Sequence, residues 1–280
     1  MKSNFPIHTF TDNVPDGYLI NVEKVEFLNS YENVNPHRHD YYELFVFADM
    51  NGQHFVDFER FPIQKQSVHL LLPNQVHRVE RNVGSGFVIM FKKEVLKEFN
   101  AHHQWFLEAP FFNRGKSLFT ACFSDEEFSF IWQLCTTIVS AFSAQQERNK
   151  EVIQTLLEAL LLKIKTSNES ADSVNAVLLR HYLLLLDQHF IAKQSAAEYA
   201  RLLRVSPAQL NAECNKTLGV SASQLIYEKL ILESKRLLVS TSWTAKEIAY
   251  HLNFSDPAYF NRFFKKHSSM SPAAFRKRKL

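Results

Sequence analysis

The spacing of hydrophobic positions changes once along this chain, near Ser124. Before it, apolar residues come in short runs rich in aromatic and β-branched side chains, at 42–47, 54–58, 68–72 and 87–91. Turn formers separate them: Asn51-Gly52, Pro62, Pro73-Asn74 and Gly84-Ser85-Gly86. Runs of this length between turn formers predict strands, and several at regular spacing predict a small sandwich or barrel over residues 1–118.

After Ser124 the period becomes helical. Ser124-Asp125-Glu126-Glu127 offers an N-cap and an acidic first turn, and Phe128, Ile131, Trp132, Cys135, Ile138, Val139 and Phe142 follow at helical spacing. A second helix is expected from about Asn149, with Val152, Ile153, Leu156, Leu157, Leu160, Leu161 and Ile164. Its apolar stripe is wider than one neighbouring helix covers. It either packs on the β domain or forms a dimer seam, so 119–165 is assigned as a helical dimerisation segment.

Residues 166–173 carry no apolar side chain larger than alanine and read as a linker. Charge switches at the same point. Residues 174–280 hold 16 Lys/Arg against 7 Asp/Glu, a net of +9, whereas residues 1–173 net −6. Such a split is expected where one half meets a polyanion.

The basic half repeats one pattern. Ser195 and Glu198 fit a capping box for a helix over 195–203 with Tyr199, Leu202 and Leu203 inward. After Arg204-Val205, Ser206-Pro207 opens a second helix with Leu210 and Cys214 inward, ended by Gly219. Fifty residues on, Thr244 and Glu247 box a helix with Ile248, Ala249 and Leu252 inward. Asn253-Phe254 turns, and Ser255-Asp256-Pro257 opens a helix with Phe260 and Phe264 inward. Helix, tight turn and capped helix make a helix-turn-helix unit, here at about 195–217 and 244–266. A long helix from about 222 to 239 joins them.

By spacing, the outer faces of the two second helices are Ala208, Asn211, Ala212 and Asn215, and Ala258, Asn261, Arg262 and Lys265. Asparagine suits adenine edges, arginine suits guanine, and lysine suits phosphate. The candidate DNA-binding residues are Gln209, Asn211, Asn215, Lys216, Asn261, Arg262, Lys265 and Lys266.

Leu210-Asn211, Lys216, Gly219 and Ser221-Ala222-Ser223 resemble the first unit of the AraC/XylS family of bacterial transcription regulators. The segment from Glu247 to Lys266, then Ser271-Pro272, Phe275 and Arg276, resembles its second unit closely. Asn253 stands for the usual glycine and Ala258 for the common serine; in the first unit, Ala212 and Glu213 depart from the family's basic or apolar residues. The resemblance implies an α+β chain: an N-terminal cupin-like β-barrel with trailing helices, then an all-α DNA-binding domain over 174–280. It implies double-stranded DNA, a small-molecule effector and RNA polymerase as partners, a homodimer, and activation more often than repression.

Before the linker, Pro36-His37-Arg38-His39 leads to Tyr41 and Glu43, and His77 follows. Residues i and i+2 on a strand share a face, so His37 and His39 can point together into a barrel mouth. With Glu43 and His77 they form an N/O set of the kind that suits Fe, Mn, Ni or Zn. The segment resembles the metal motif of cupins and also the metal-free pockets of AraC-type effector domains. An effector pocket of His37, His39, Tyr41, Glu43 and His77 is expected, with no metal and no cofactor. A cupin-type metalloenzyme with a DNA-binding tail and an effector-independent dimeric regulator are the rival readings.

Three scattered cysteines, Cys122, Cys135 and Cys214, argue against a disulfide framework. Residues 1–10 lack a basic start followed by an apolar stretch, and no apolar run reaches the roughly 18 residues that span a bilayer. A cytoplasmic protein with no membrane partner is expected. No phosphate-binding glycine loop, Gly-x-Ser-x-Gly elbow or Cys-x-x-Cys pair occurs, and an enzyme is not expected.

Overall fold

The computed structural model describes residues 7–10, 18–24, 36–81, 84–92, 94–95, 118–144, 146, 149–166 and 177–277. The expected linker, apart from Thr166, lies outside them. The chain divides into two compact units, one within residues 6–173 and one within 174–280.

The first unit contains ten strands among its described residues: β1 Ile7–His8, β2 Ile20–Lys24, β3 Arg38–His39, β4 Tyr42–Phe47, β5 Gly52–Val56, β6 Glu59–Ile63, β7 Ser67–Leu71, β8 His77–Arg81, β9 Gly86–Phe91 and β10 Phe119–Cys122. An antiparallel sheet of order β10-β7-β4-β9-β2 and another of order β6-β5-β8 make up most of it; β1 pairs in parallel with β3. A two-way backbone bridge between His37 and His77 links the segment entering β3 to the smaller sheet.

Alternation on the central strands sorts the core into two layers. Tyr42, Leu44 and Val46 of β4, Val68 and Leu70 of β7, and Phe87, Ile89 and Phe91 of β9 face one way. There they meet two helices, α1 (Asp125–Ser143) and α2 (Asn149–Thr166), through Ile131, Cys135, Ile138, Ile153, Leu157, Leu160 and Ile164. Phe45, Phe47, Leu71, Val88 and Met90 face the other way and pack with Val56, Phe61, Ile63 and Val79 of the smaller sheet. Every residue of β4 is buried, including Glu43, because both faces of the strand are covered. The wide stripe of α2 is thus largely core, with Val152 among the residues left exposed.

Some expectations change. Pro62 does not end a strand; it lies within β6, an edge strand, where a missing N–H is tolerated. Gly52 begins β5 rather than ending a turn, and a Cβ there would meet the Glu80 carbonyl oxygen at 2.1 Å. The turn follows at Asp57-Phe58, which the sequence places in a strand. Residues 119–122 are not helical: they form β10, paired with β7 at the sheet edge. The helix after them starts at the expected N-cap, Ser124, with the expected acidic first turn, and Glu127 closes a capping box there that the sequence reading did not include.

The second unit is helical: α3 Val177–His189, α4 Ala196–Leu202, α5 Pro207–Leu218, α6 Ala222–Ser240, α7 Ala245–His251, α8 Pro257–Ser268 and α9 Pro272–Arg276. Capping boxes open α4 at Ser195 and α7 at Thr244. Both helices then stop in the same way. Arg204 and Asn253 take left-handed φ angles of 57° and 62°. The next N–H groups, of Val205 and Phe254, reach back to the carbonyls of Ala200 and Ala249. Leu202, expected inward, is exposed; Ala196, Tyr199 and Ala200 form the buried face of α4. Gln194 joins the two halves of the unit through a 2.6 Å hydrogen bond from Nε2 to the Leu252 carbonyl.

Candidate nucleic-acid interface and buried histidine cluster

Helix α8 separates its faces cleanly. Phe260, Phe263 and Phe264 are buried, while Ala258, Tyr259, Asn261, Arg262, Lys265 and Lys266 are exposed. Asp256 caps it by accepting from the Ala258 and Tyr259 N–H groups, and Pro257 fills the first position. The Arg262 guanidinium has 70% of its side chain exposed, with Asp256 at 3.9 Å and the Tyr259 ring at 6.0 Å. Contacts of that length leave it available to an incoming anion.

Helix α5 is more reserved. Gln209, Asn215 and Lys216 are exposed, but Asn211 is half-buried. Its Oδ1 accepts from the Ala222 N–H at 2.9 Å, at the start of α6. The Asn215 amide donates to the Asn211 carbonyl within the same helix. The C-terminal frame is tied by Arg276, whose Nε donates to the Leu238 carbonyl at 3.0 Å and whose Nη2 donates to the Trp243 carbonyl.

In the first unit, the expected pocket residues come together as buried groups. His37, His39, Tyr41, Glu43 and His77 are each no more than 3% exposed. Glu43 Oε2 lies 3.2 Å from His39 Nε2 and 3.4 Å from His77 Nε2. One donor atom each from His39, Glu43 and His77 falls within 4.8 Å of the other two. The chain of contacts runs on: His77 Nδ1 meets His54 Nε2 at 3.2 Å, and His54 Nδ1 meets His69 Nδ1 at 3.1 Å.

Proton positions follow at one end. A carbonyl only accepts, so His39 Nδ1, 2.7 Å from the Tyr41 oxygen, carries a proton. A neutral His39 then turns the lone pair of Nε2 toward a carboxylate oxygen. Two acceptors at 3.2 Å, both buried, need a proton or a cation between them. At the far end, burial alone pushes His69 down to about 4. Burial, then the charges of His69, His37 and His39, drives His54 well below its ordinary value, so both are neutral at physiological pH.

The helix-turn-helix domain model matches residues 199–278, and the AraC-like ligand binding domain model matches residues 27–184, more than half of the chain. The chain belongs to the AraC family of transcription regulators. An HTH-type transcriptional regulator of Bacillus subtilis, YfiF, is 21% identical over 258 residues, 89% of this chain and 81% of that one. The arabinose operon regulatory protein of Salmonella typhimurium is 29% identical over 150 residues, about half of each chain (51% and 52%). The solved structure of ToxT from Vibrio cholerae aligns over 92% of this chain and 97% of its own, at 15% identity and a TM-score of 0.43.

This AraC-family chain is therefore a DNA-binding transcription regulator with an N-terminal ligand-binding domain. No helix among its described residues is long and apolar enough to cross a membrane. Two histidines of its cluster, His54 and His69, escape sequence reasoning, because each sits inside an apolar strand rather than in a motif. A signal was present: both hold the inward parity, His54 with Val56 and His69 with Leu71.

Proposed function

We propose that the C-terminal unit reads a specific DNA sequence and that a small molecule engaging the histidine cluster controls it. The observation that carries the DNA reading is α8: an exposed face of Asn261, Arg262, Lys265 and Lys266 over a buried row of phenylalanines. Arg262 and Asn261 meet base edges, and Lys265 and Lys266 meet phosphates; Gln209, Asn215 and Lys216 of α5 contact a neighbouring groove. Helix α6, 19 residues long, spans about 28 Å at 1.5 Å per residue, near the pitch of B-DNA. The protein acts in the cytoplasm as a homodimer, activates by helping to recruit RNA polymerase, and catalyses no reaction.

Selection of genomic fragments by the full-length protein near physiological salt tests the DNA reading. Two short conserved blocks about one helical turn apart support it; binding that only fades with salt, without enrichment, rejects it. On the effector side, the buried Glu43 carboxyl beside His39 and His77 suits a ligand that brings hydrogen-bond donors or a positive charge. Such a ligand raises the melting temperature of the wild type and not of Glu43→Gln.

A second reading of the cluster has one observation in its favour. Donors bonded at about 2.1 Å to one ion lie about 3.0–3.4 Å apart at cis or tetrahedral angles. The 3.2 and 3.4 Å separations of His39, Glu43 and His77 fall in that range on two of the three sides. The His39 Nδ1–H held by a carbonyl is the outer-shell bond that such a ligand needs. Metal content after purification without chelator decides: about one ion per chain, lost in His39→Ala, supports it, and substoichiometric metal in both rejects it.

A further inference from the structure

The two helix-turn-helix units superimpose by number from their second helices onward, with an offset of fifty. Leu210 matches Phe260, Cys214 matches Phe264, Gly219 matches Ser269 and Ser221 matches Ser271. Structure follows the offset. Leu210, Phe260, Cys214 and Phe264 are all fully buried. Gly219 and Ser269 both end their helices with left-handed φ angles, 73° and 63°. Ser221 and Ser271 both cap the next helix, accepting from Gln224 and Ala274.

Asn211 and Asn261 occupy the same place in this repeat, yet their side chains have different fates. Asn211 Oδ1 accepts the Ala222 N–H at 2.9 Å and is half-buried. The residue that matches Ala222 is Pro272, the first residue of α9. Proline has no N–H. The bond that holds Asn211 therefore has no counterpart, and Asn261 stands exposed on α8. The two asparagines thus differ in burial where the first residue of the following helix differs, Ala222 with an N–H and Pro272 without one.

We infer that Asn211 is a positioning residue that locks α5 to the start of α6, whereas Asn261 is released by Pro272 to read a base. The inference rests on the DNA reading above and deepens it. The two units share a scaffold but not a role at this position: in α5 the asparagine sets the angle of the helix, and in α8 it contributes to sequence choice. The spacing between the two blocks of a binding site then depends on Asn211, because α6 carries the second unit.

Replacement by aspartate separates the two roles without changing shape. A cap needs only an oxygen acceptor, which aspartate keeps. A bidentate contact with adenine needs the amide N–H₂ as well, which aspartate lacks. The experiment is selection from a randomised DNA library with full-length wild type, Asn211→Asp, Asn261→Asp and Asn211→Ala. The selected motif is then tested with one base pair added or removed between its blocks. Asn261→Asp is expected to flatten preference at one base pair by about tenfold or more. Asn211→Asp keeps the wild-type base preference at every position, although its added charge weakens binding to all sequences alike. Asn211→Ala keeps base preference but loses discrimination between spacings.

Loss of preference at one base pair in Asn211→Asp overturns the inference, as does unchanged preference in Asn261→Asp or unchanged spacing discrimination in Asn211→Ala. Failure of the wild type to select any motif is a different result, and rejects the underlying DNA reading instead.

Discussion

Arg276 and Leu238, 38 residues apart, are joined by a 3.0 Å hydrogen bond from the guanidinium Nε to the backbone carbonyl near the end of α6. The same side chain reaches the Trp243 carbonyl in the segment that enters α7. One cation thus satisfies two carbonyls and fixes the second helix-turn-helix unit on its long helix. Arg276→Ala is expected to destabilise the chain by about 2 kcal/mol, the scale of a charge-assisted hydrogen bond lost to an unpaired carbonyl. Lysine has no rigid fork and recovers at most half. Urea unfolding followed by circular dichroism measures this; equal midpoints for wild type and Arg276→Ala reject it.

Arg262 and Lys265 differ in what they are expected to read. Arg262→Ala should cost about 1–3 kcal/mol at the selected site and relax one base position. Lys265→Ala should weaken all sequences alike and lower the salt slope by about one. Titrations of cognate and scrambled duplexes at several salt concentrations distinguish them. Equal losses on both duplexes for Arg262→Ala would move it to the phosphate backbone.

Glu43 is buried with its carboxyl oxygen 3.2 Å from His39 Nε2 and 3.4 Å from His77 Nε2. Glu43→Gln keeps the shape and can turn an amide N–H toward the lone pair of His39, so its stability is expected within about 1 kcal/mol of the wild type. Glu43→Ala leaves His39 and His77 facing a void and costs about 3 kcal/mol or more. Thermal melts of the two variants check the order, and a Gln variant as unstable as the Ala variant contradicts it.

Acid should act through the inner histidines. His69 titrates at about 4 in the fold against an ordinary 6.5, and His54 shifts in the same direction. The unfolded chain therefore takes up protons first. The stability involved is complete above pH 6.5 and is lost as pH falls from 6.5 toward 4, at up to about 1.4 kcal/mol per pH unit for one residue. His69→Gln does not titrate, so its stability should fall less steeply over that window. Parallel slopes in urea unfolding at pH 4.5–7 would exclude His69 as a source.

Much of the second unit was legible residue by residue because its signals are local. Ser195 with Glu198, Thr244 with Glu247, and Ser206 before Pro207 each act within four residues, and each forms the cap its spacing predicts. Asn253 was readable as a turn because its short side chain tolerates a left-handed backbone. Leu202 was misplaced because helical period alone did not show which neighbour covers the end of α4. Pro62 was misread because a proline marks either a turn or a strand edge, and only the sheet order shows that β6 lies at an edge.

By itself, the sequence determined where most of the helices begin, which half carries positive charge, and where strands give way to helices. Those follow from capping, periodicity and composition, which act over a few residues or over whole halves. Tertiary structure decided how side chains far apart in the chain meet. It brought His54 and His69 into line with His77, 23 and 8 residues away, because inward parity on paired strands is set by register. It also gave Asn211 and Asn261 opposite fates, since the N–H that one of them caps, and the proline that denies it to the other, lie eleven residues further along the chain and meet them only in the fold.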